Sequence, residues 1–249
     1  MISRFFTRAF SRYPLTYLSF LRFMRRGSIE KRVFLSVLRA GHAVFDVGAN
    51  RGSFTILFSD IVRSNGRVFA FEPVPSTFAL LEKAVADRNN CEAHNVALGN
   101  ASGKVFLHLP GTDDGQASMH QHNHGSWTNA QEFHRHECRM ITLDEIASHL
   151  TRLDFIKCDV EGAELLVLQG ARSTLDRLSP ILFLEVFDKW TIAFDYTPAD
   201  LVCFLRDIGY SAILLVDGLV RPLRDPSEIT GSVNLLCAKP GMLPDVLEA

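Results

Sequence analysis

The chain's pattern predicts an α/β fold built around a largely parallel sheet, on three observations. Short apolar runs alternate with helix-length segments along most of the sequence, as in strand-helix-strand units. The first apolar run stops in a turn with two glycines, VFDVGANRGSF from Val44 to Phe54, and leads into a helical pattern. The second run ends in a carboxylate, Glu72, followed by Pro73.

The elements follow in order. Met1 to Ser28 holds no acidic residue but six arginines, Arg4, Arg8, Arg12, Arg22, Arg25 and Arg26, interleaved with phenylalanine and tyrosine. With the residues up to 40 it reads as a basic, aromatic helical arm. Such an arm suits peripheral contact with an anionic membrane surface, and equally suits packing on the domain or on a second copy in a homo-oligomer. Strands are expected at Ala43 to Val47, Arg67 to Phe71, Ala93 to Leu98, Phe155 to Asp159, Ile181 to Val186, Ser211 to Val216 and Val233 to Ala238. Helices are expected at Phe54 to Ser59, Ser76 to Asp87, Ala163 to Leu178 and Pro198 to Ile208. Pro75-Ser76 and Thr197-Pro198 supply helix starts, and Gly209 supplies a stop. Residues 41–240 thus form one domain, and 241–249 a tail. Within it, 104–140 breaks the rhythm as an inserted excursion of one or two strands and a long loop, a length usually tied to function.

Composition narrows the classes. With 249 residues, 47% hydrophobic and 22% charged, the chain is globular and large enough for a sizeable core. A formal net charge of -2 carries no whole-protein signal for nucleic acid. The five cysteines are odd in number and never in a C-x-x-C pair, which argues against a disulfide framework or a structural zinc site. A reducing cytoplasm is the expected compartment. No apolar run approaches the roughly 18 residues of a membrane span, and no secretion signal is read at the N-terminus.

The glycine turn is a candidate ligand cradle, with backbone N–H groups around a small concavity. A dinucleotide fingerprint would need glycine where Asn50 and Ser53 stand, and a P-loop would need a lysine after Gly52. Neither matches. What remains is D-x-G-x-x-x-G, where Asp46 ahead of the turn would repel a pyrophosphate but accept a cationic or amino-bearing ligand. Glu72 at the tip of the second strand is placed to accept hydrogen bonds from both ribose hydroxyls. Together they suggest an adenosine cofactor with a charged amino-acid end and no phosphate, the make-up of S-adenosylmethionine.

VFDVGANRGSF, FAFEPVPSTFALLEKAV, NVALGN and LDFIKCDVEGAELLVLQGA resemble, in order and spacing, the FkbM-type family of S-adenosylmethionine-dependent methyltransferases. The resemblance runs from about Val44 to Glu185. It implies the class I methyltransferase (Rossmann-like) fold, a mostly parallel seven-stranded sheet with helices on both faces and an antiparallel last strand. It further implies that Asp46, Gly48, Asn50, Gly52 and Ser53 surround the methionine end, that Glu72 takes the ribose, and that Val96 and Ala97 lie near the adenine. Many members of the family act on hydroxyls of sugars or natural products. The expected acceptor is therefore a hydroxyl of a saccharide, glycolipid or natural product, and not nucleic acid.

Methyl transfer to a hydroxyl needs an in-line nucleophile and an acceptor for its proton. The fourth strand ends in Asp159-Val160-Glu161-Gly162, at the carboxyl edge where an open α/β sheet binds ligands. Asp159 is the candidate base or orienting acceptor, also touching the cofactor, with Glu161 in support. Glu161 reads equally as an N-cap for the helix that follows, and Glu185 is a third candidate. Six of nine histidines fall between His108 and His136. His120, His122 and His124, with Trp127 stacking on a sugar ring, are expected to recognise substrate. The same imidazoles suit a metal site or a solvated lid, but alternating histidines without cysteine do not define ligand geometry, so no metal residue is assigned. Two rivals stand beside this reading: a metal-assisted O-methyltransferase using the loop histidines, and a non-catalytic adenosyl-binding module that recruits a partner.

Overall fold

The computed structural model describes residues 28–110, 117–122, 127–128 and 133–244, together with Thr16. The basic arm up to residue 27, His124 and the last five residues lie outside the described residues.

The first described helix, α1 (Ile29–Val37), is capped by Ser28, whose side chain accepts from the Lys31 N–H at 3.4 Å. It belongs to the domain body although it falls in the segment expected as arm. Its Phe34 is wholly buried, and its ring meets those of Phe54, Phe58, Phe155 and Phe183 at centroid distances of 5.2, 5.0, 5.8 and 4.8 Å. These edge-on contacts join α1 and α2 (Ser53–Val62) to one face of the sheet.

Among the described residues the main sheet has eight strands. β1 (Ala43–Val47), β2 (Arg67–Phe71), β3 (Cys91–His94), β7 (Phe155–Cys158) and β8 (Ile181–Phe187) are parallel neighbours in the order β8-β7-β1-β2-β3. β11 (Ser232–Ala238) runs antiparallel between β8 and β9 (Ala212–Val216), as expected of the last strand. A short β10 (Val220–Pro222) folds back on β9, and this hairpin return is the strand beyond the expected seven. Helices α5 (Glu164–Gln169), α6 (Arg172–Leu178) and α8 (Pro198–Asp207) bury their apolar sides in the cluster on the other face. Between them α8 starts on a capping box made by Thr197 and Asp200.

Two expected elements are divided. The single strand foreseen at Ala93 to Leu98 is β3 and then β4 (Ala97–Leu98), which joins a second sheet. Asn95 makes the break by donating to the carbonyls of Glu72 and Pro73 at 2.9 and 3.1 Å, which turns the chain around the tip of β2. The single helix foreseen at Ala163 to Leu178 stops at Gln169, because Asp144, at the start of α4 (Leu143–Ala147), caps α6 anew by accepting from the Ser173 and Thr174 N–H groups. The excursion is a two-stranded hairpin, β5 (Gly103–Pro110) against β6 (Phe133–Ile141), with β4 alongside β6. It stands over the carboxyl ends of β1, β2 and β7. The remaining helices are α3 (Pro75–Val85) after β2 and the short α7 (Asp188–Thr191) after β8. No helix among the described residues is long and apolar enough to cross a membrane.

Candidate active site

A pocket with about 630 Å³ of open volume lies where β1, β2, β4 and β7 end, its outer wall supplied by Leu107 and residues 117–119 of the excursion. Of the residues singled out in the sequence, Gly48, Asn50, Glu72, Val96, Ala97, Asp159 and Glu161 bound it.

The glycine turn is not an open cradle of amides. The N–H groups of Gly48 and Ala49 donate to the Phe71 carbonyl, that of Asn50 to Glu72 Oε2, that of Arg51 to Asn50 Oδ1 and that of Gly52 to the Ala49 carbonyl. The turn is thus spent on internal hydrogen bonds, and no row of free donors remains for a phosphate. The glycines answer to packing. At Gly48 (φ +73) a Cβ would stand 1.8 Å from the Asp159 carbonyl oxygen, and at Gly52 (φ +82) 2.8 Å from Leu81. Gly48 therefore lets the tips of β1 and β7 touch, which brings Asp159 beside Asn50. Gly52 and Ser53 do not bound the pocket. Ser53 begins α2 and faces solvent.

Asp46 also departs from its expected place. Its side chain points to the face covered by α2, is 0% exposed, and accepts from Thr55 Oγ1 at 2.6 Å. Alternation along β1 explains this: Val47 and Phe45 face one way, Val44 and Asp46 the other. Its partner is a residue that the reading of motifs overlooked. Lys157, paired with Asp46 in the β1–β7 register, puts Nζ 3.9 Å from Asp46 and 3.0 Å from Asp159 Oδ2. Burial opposes the lysine's charge, but Asp159 and then Asp46 outweigh it and hold its pKa above the ordinary value. A lone lysine in the apolar strand Phe155–Cys158, two residues before Asp159, was the available signal.

The other carboxyls sit in a low dielectric. Burial lifts Glu72 to about 7, against the hydrogen bonds it accepts from the Val74 and Asn50 N–H groups. Burial and the neighbouring charges of Asp159, Glu164 and Glu185 push Glu161 up to about 10. Glu161 is therefore a neutral acid at pH 7. It is not the N-cap: that position is Ala163, with no side-chain cap, and Glu164 instead ties the preceding turn by accepting from the Val160 and Gly162 N–H groups at 3.1 and 3.2 Å. Glu185, one step past the Cys158–Leu184 pair and so level with Asp159, is raised to about 7 by burial and by the Asp159 charge. A phosphate-free, positively charged ligand fits such a lining, with Phe71, Val96, Ala97 and Leu98 as the apolar part.

The comparisons with known proteins bear on family and fold. The family described as "Methyltransferase FkbM domain" matches residues 46–212. The chain belongs to the FkbM methyltransferase family. S-adenosylmethionine is the cofactor of that family. Among curated relatives, the chain is 29% identical over 143 residues to "Methyltransferase 1" of Beauveria bassiana, covering 51% of this chain and 57% of that protein. It is 30% identical over 174 residues to "2-O-methyltransferase NoeI" of Sinorhizobium fredii, covering 65% and 70%. A crystal structure of methyltransferase FkbM from Methylobacillus flagellatus superposes with a TM-score of 0.55 at 18% identity, over 85% of this chain and 48% of that one, which shows the shared fold.

In this FkbM domain the excursion is placed differently from expectation. Trp127 is only 2% exposed, stacked on Phe133 and met edge-on by His122, so its ring has no open face for a sugar. His122 is 5% exposed, lies flat on Trp190 at 4.8 Å and reaches the Glu161 carbonyl with Nε2 at 3.0 Å. His120 is exposed and edge-on to Phe194 at 4.6 Å. None of the three bounds the pocket, because aromatic burial pulls the segment onto α7 and the 3-10 turn Ile192–Phe194. The excursion residues that do bound it, Leu107, Ala117, Ser118 and Met119, carry no motif and could not be found by one. Among the described residues no group of three or more His, Cys, Asp or Glu converges as a metal donor set.

Proposed function

We propose that this domain transfers a methyl group from S-adenosylmethionine to a hydroxyl of a saccharide, glycolipid or natural product. The observation that carries the reading is the end of β7. There Asp159 faces the pocket beside Asn50 and Glu72, held by a buried lysine and flanked by two carboxyls of raised pKa. The Sinorhizobium relative is a 2-O-methyltransferase, which supports hydroxyl as the acceptor class.

When bound, S-adenosylmethionine supplies an electrophilic methyl group. Glu72 accepts from ribose hydroxyls, and the apolar wall at Val96 to Leu98 takes the adenine. On receiving that methyl group the acceptor's hydroxyl would give up its proton, which a side chain of the pocket must take. Asp159, with Oδ2 tied to Lys157, accepts the hydroxyl's hydrogen bond and orients it. Glu185, hydrogen-bonded to Asp159 and raised to about 7 chiefly by burial, is the final acceptor of the proton. Glu161, neutral at pH 7, offers a donor hydrogen to a second oxygen of the acceptor.

A cofactor-consumption screen against neutral glycosides, nucleotide sugars, lipid-linked oligosaccharides and hydroxylated metabolites, with mass analysis of the product, tests the reading. A methyl ether is the expected product; a methylated amine or carboxyl group overturns it.

A further inference from the structure

Glu161 adopts the left-handed conformation, φ +56, which a residue with a Cβ enters only when its surroundings hold it there. The residue bounds the pocket, and its Oε2 is buried with no hydrogen-bond partner among the described residues. What holds the turn is the excursion. Ser118, 1% exposed, pairs by its own N–H and carbonyl with His108 on β5 and donates from Oγ to the Glu161 carbonyl at 2.8 Å. His122 Nε2 lies 3.0 Å from the same carbonyl and 3.0 Å from Ser118 Oγ. Since a carbonyl only accepts, the imidazole donates there. The next carbonyl, that of Gly162, accepts from Tyr196 at 2.9 Å, so the peptide is pinned from both sides.

We propose that His122 and Ser118 are positioning residues, whose hydrogen bonds to the Glu161 carbonyl fix its left-handed turn and aim its carboxyl at the acceptor. The ring stack on Trp190 sets the imidazole's height, and the backbone pairing with β5 sets that of the serine. Met119, between them in sequence, bounds the pocket, so the wall facing the acceptor and the brace behind Glu161 are one piece of chain. Without the two donors the Glu161–Gly162 peptide is free to rotate toward negative φ, and the carboxyl swings away.

The catalytic consequence rests on the hydroxyl-methylating reading; the structural one does not, and the test separates them. His122→Phe keeps the stack on Trp190 and removes the donor. His122→Gln returns an N–H near the position of Nε2. In hydrogen exchange, the 159–163 peptide of His122→Phe is expected to exchange at least tenfold faster, and that of His122→Gln within threefold of wild type. Turnover on the best acceptor from the screen should follow the same order, through kcat more than KM, while calorimetric binding of S-adenosylhomocysteine stays within threefold. Unchanged exchange in His122→Phe, or a loss that glutamine does not recover, overturns the proposal. Should His122→Phe fail to fold, Ser118→Ala, which deletes one oxygen atom, carries the same readouts. A wild-type protein that methylates no hydroxyl sinks the functional reading alone, and the exchange result still decides the brace.

Discussion

Asp159 and Lys157 are two residues apart on one strand end, and their roles are easily confused. Asp159 bounds the pocket, and Asp159→Asn removes its charge, and with it half of the Lys157 ion pair, while keeping an oxygen that can accept a hydrogen bond. It should lower turnover at least tenfold while S-adenosylhomocysteine binding, measured by calorimetry, stays within a few-fold; unchanged turnover removes the residue from the chemistry. Lys157 does not bound the pocket. Lys157→Met leaves Asp46 and Asp159 facing one another without a cation, a loss of roughly 3–5 kcal/mol for one partner of a buried pair, to be read in urea denaturation. Asp46 was legible in the motif as an acid but not as a buried one, since the motif does not say which face of β1 it occupies. Its pairing with Lys157 depends on β1 and β7 being neighbours, although the two residues are over a hundred positions apart in sequence.

At the scale of elements, the contact that makes the site is β1 tip against β7 tip. Gly48→Ala places a methyl group inside the Asp159 carbonyl and imposes a backbone angle that alanine disfavours. The strand ends must part, at a cost of at least about 3 kcal/mol, by analogy with severe overpacking. Thermal unfolding should report a large drop, and a variant as stable as wild type would show that the two tips are not in contact. The parallel strands and the capped helix α8 were readable from apolar periodicity and from Thr197-Pro198. The split of the third strand was not, because it turns on Asn95 reaching carbonyls of β2, a contact between segments and not a local preference.

Across the whole molecule, buried carboxyls cluster around Asp159, and of these Glu72 and Glu161 bound the pocket. Glu72, Glu164 and Glu185 keep their protons to about pH 7 and Glu161 to about 10, each chiefly because burial penalises the charged form. In the unfolded chain the same groups release them near pH 4.3. The folded state therefore binds more protons in between, so their contribution to stability is complete below about pH 4 and is lost as pH rises through 7. The thermal midpoint at constant ionic strength is expected to fall between pH 5.5 and 8.5, and Glu72→Gln should flatten part of that slope. A midpoint that rises over the range contradicts the burial of these acids.

The sequence by itself determined the strand-helix alternation, the class of the ligand turn and the position of the two acids, Glu72 and Asp159, at strand tips. Those follow from local periodicity and from spacing along the chain, which survive without knowledge of neighbours. Only the tertiary structure decided that Asp46 is covered, that the glycines serve strand contact before ligand approach, and that His122 lies against the Glu161 carbonyl and Trp127 is buried against Phe133 instead of facing a sugar. Each of those outcomes depends on burial and on hydrogen bonds between segments far apart in the chain, and a residue's type does not specify which partner folding will bring to it.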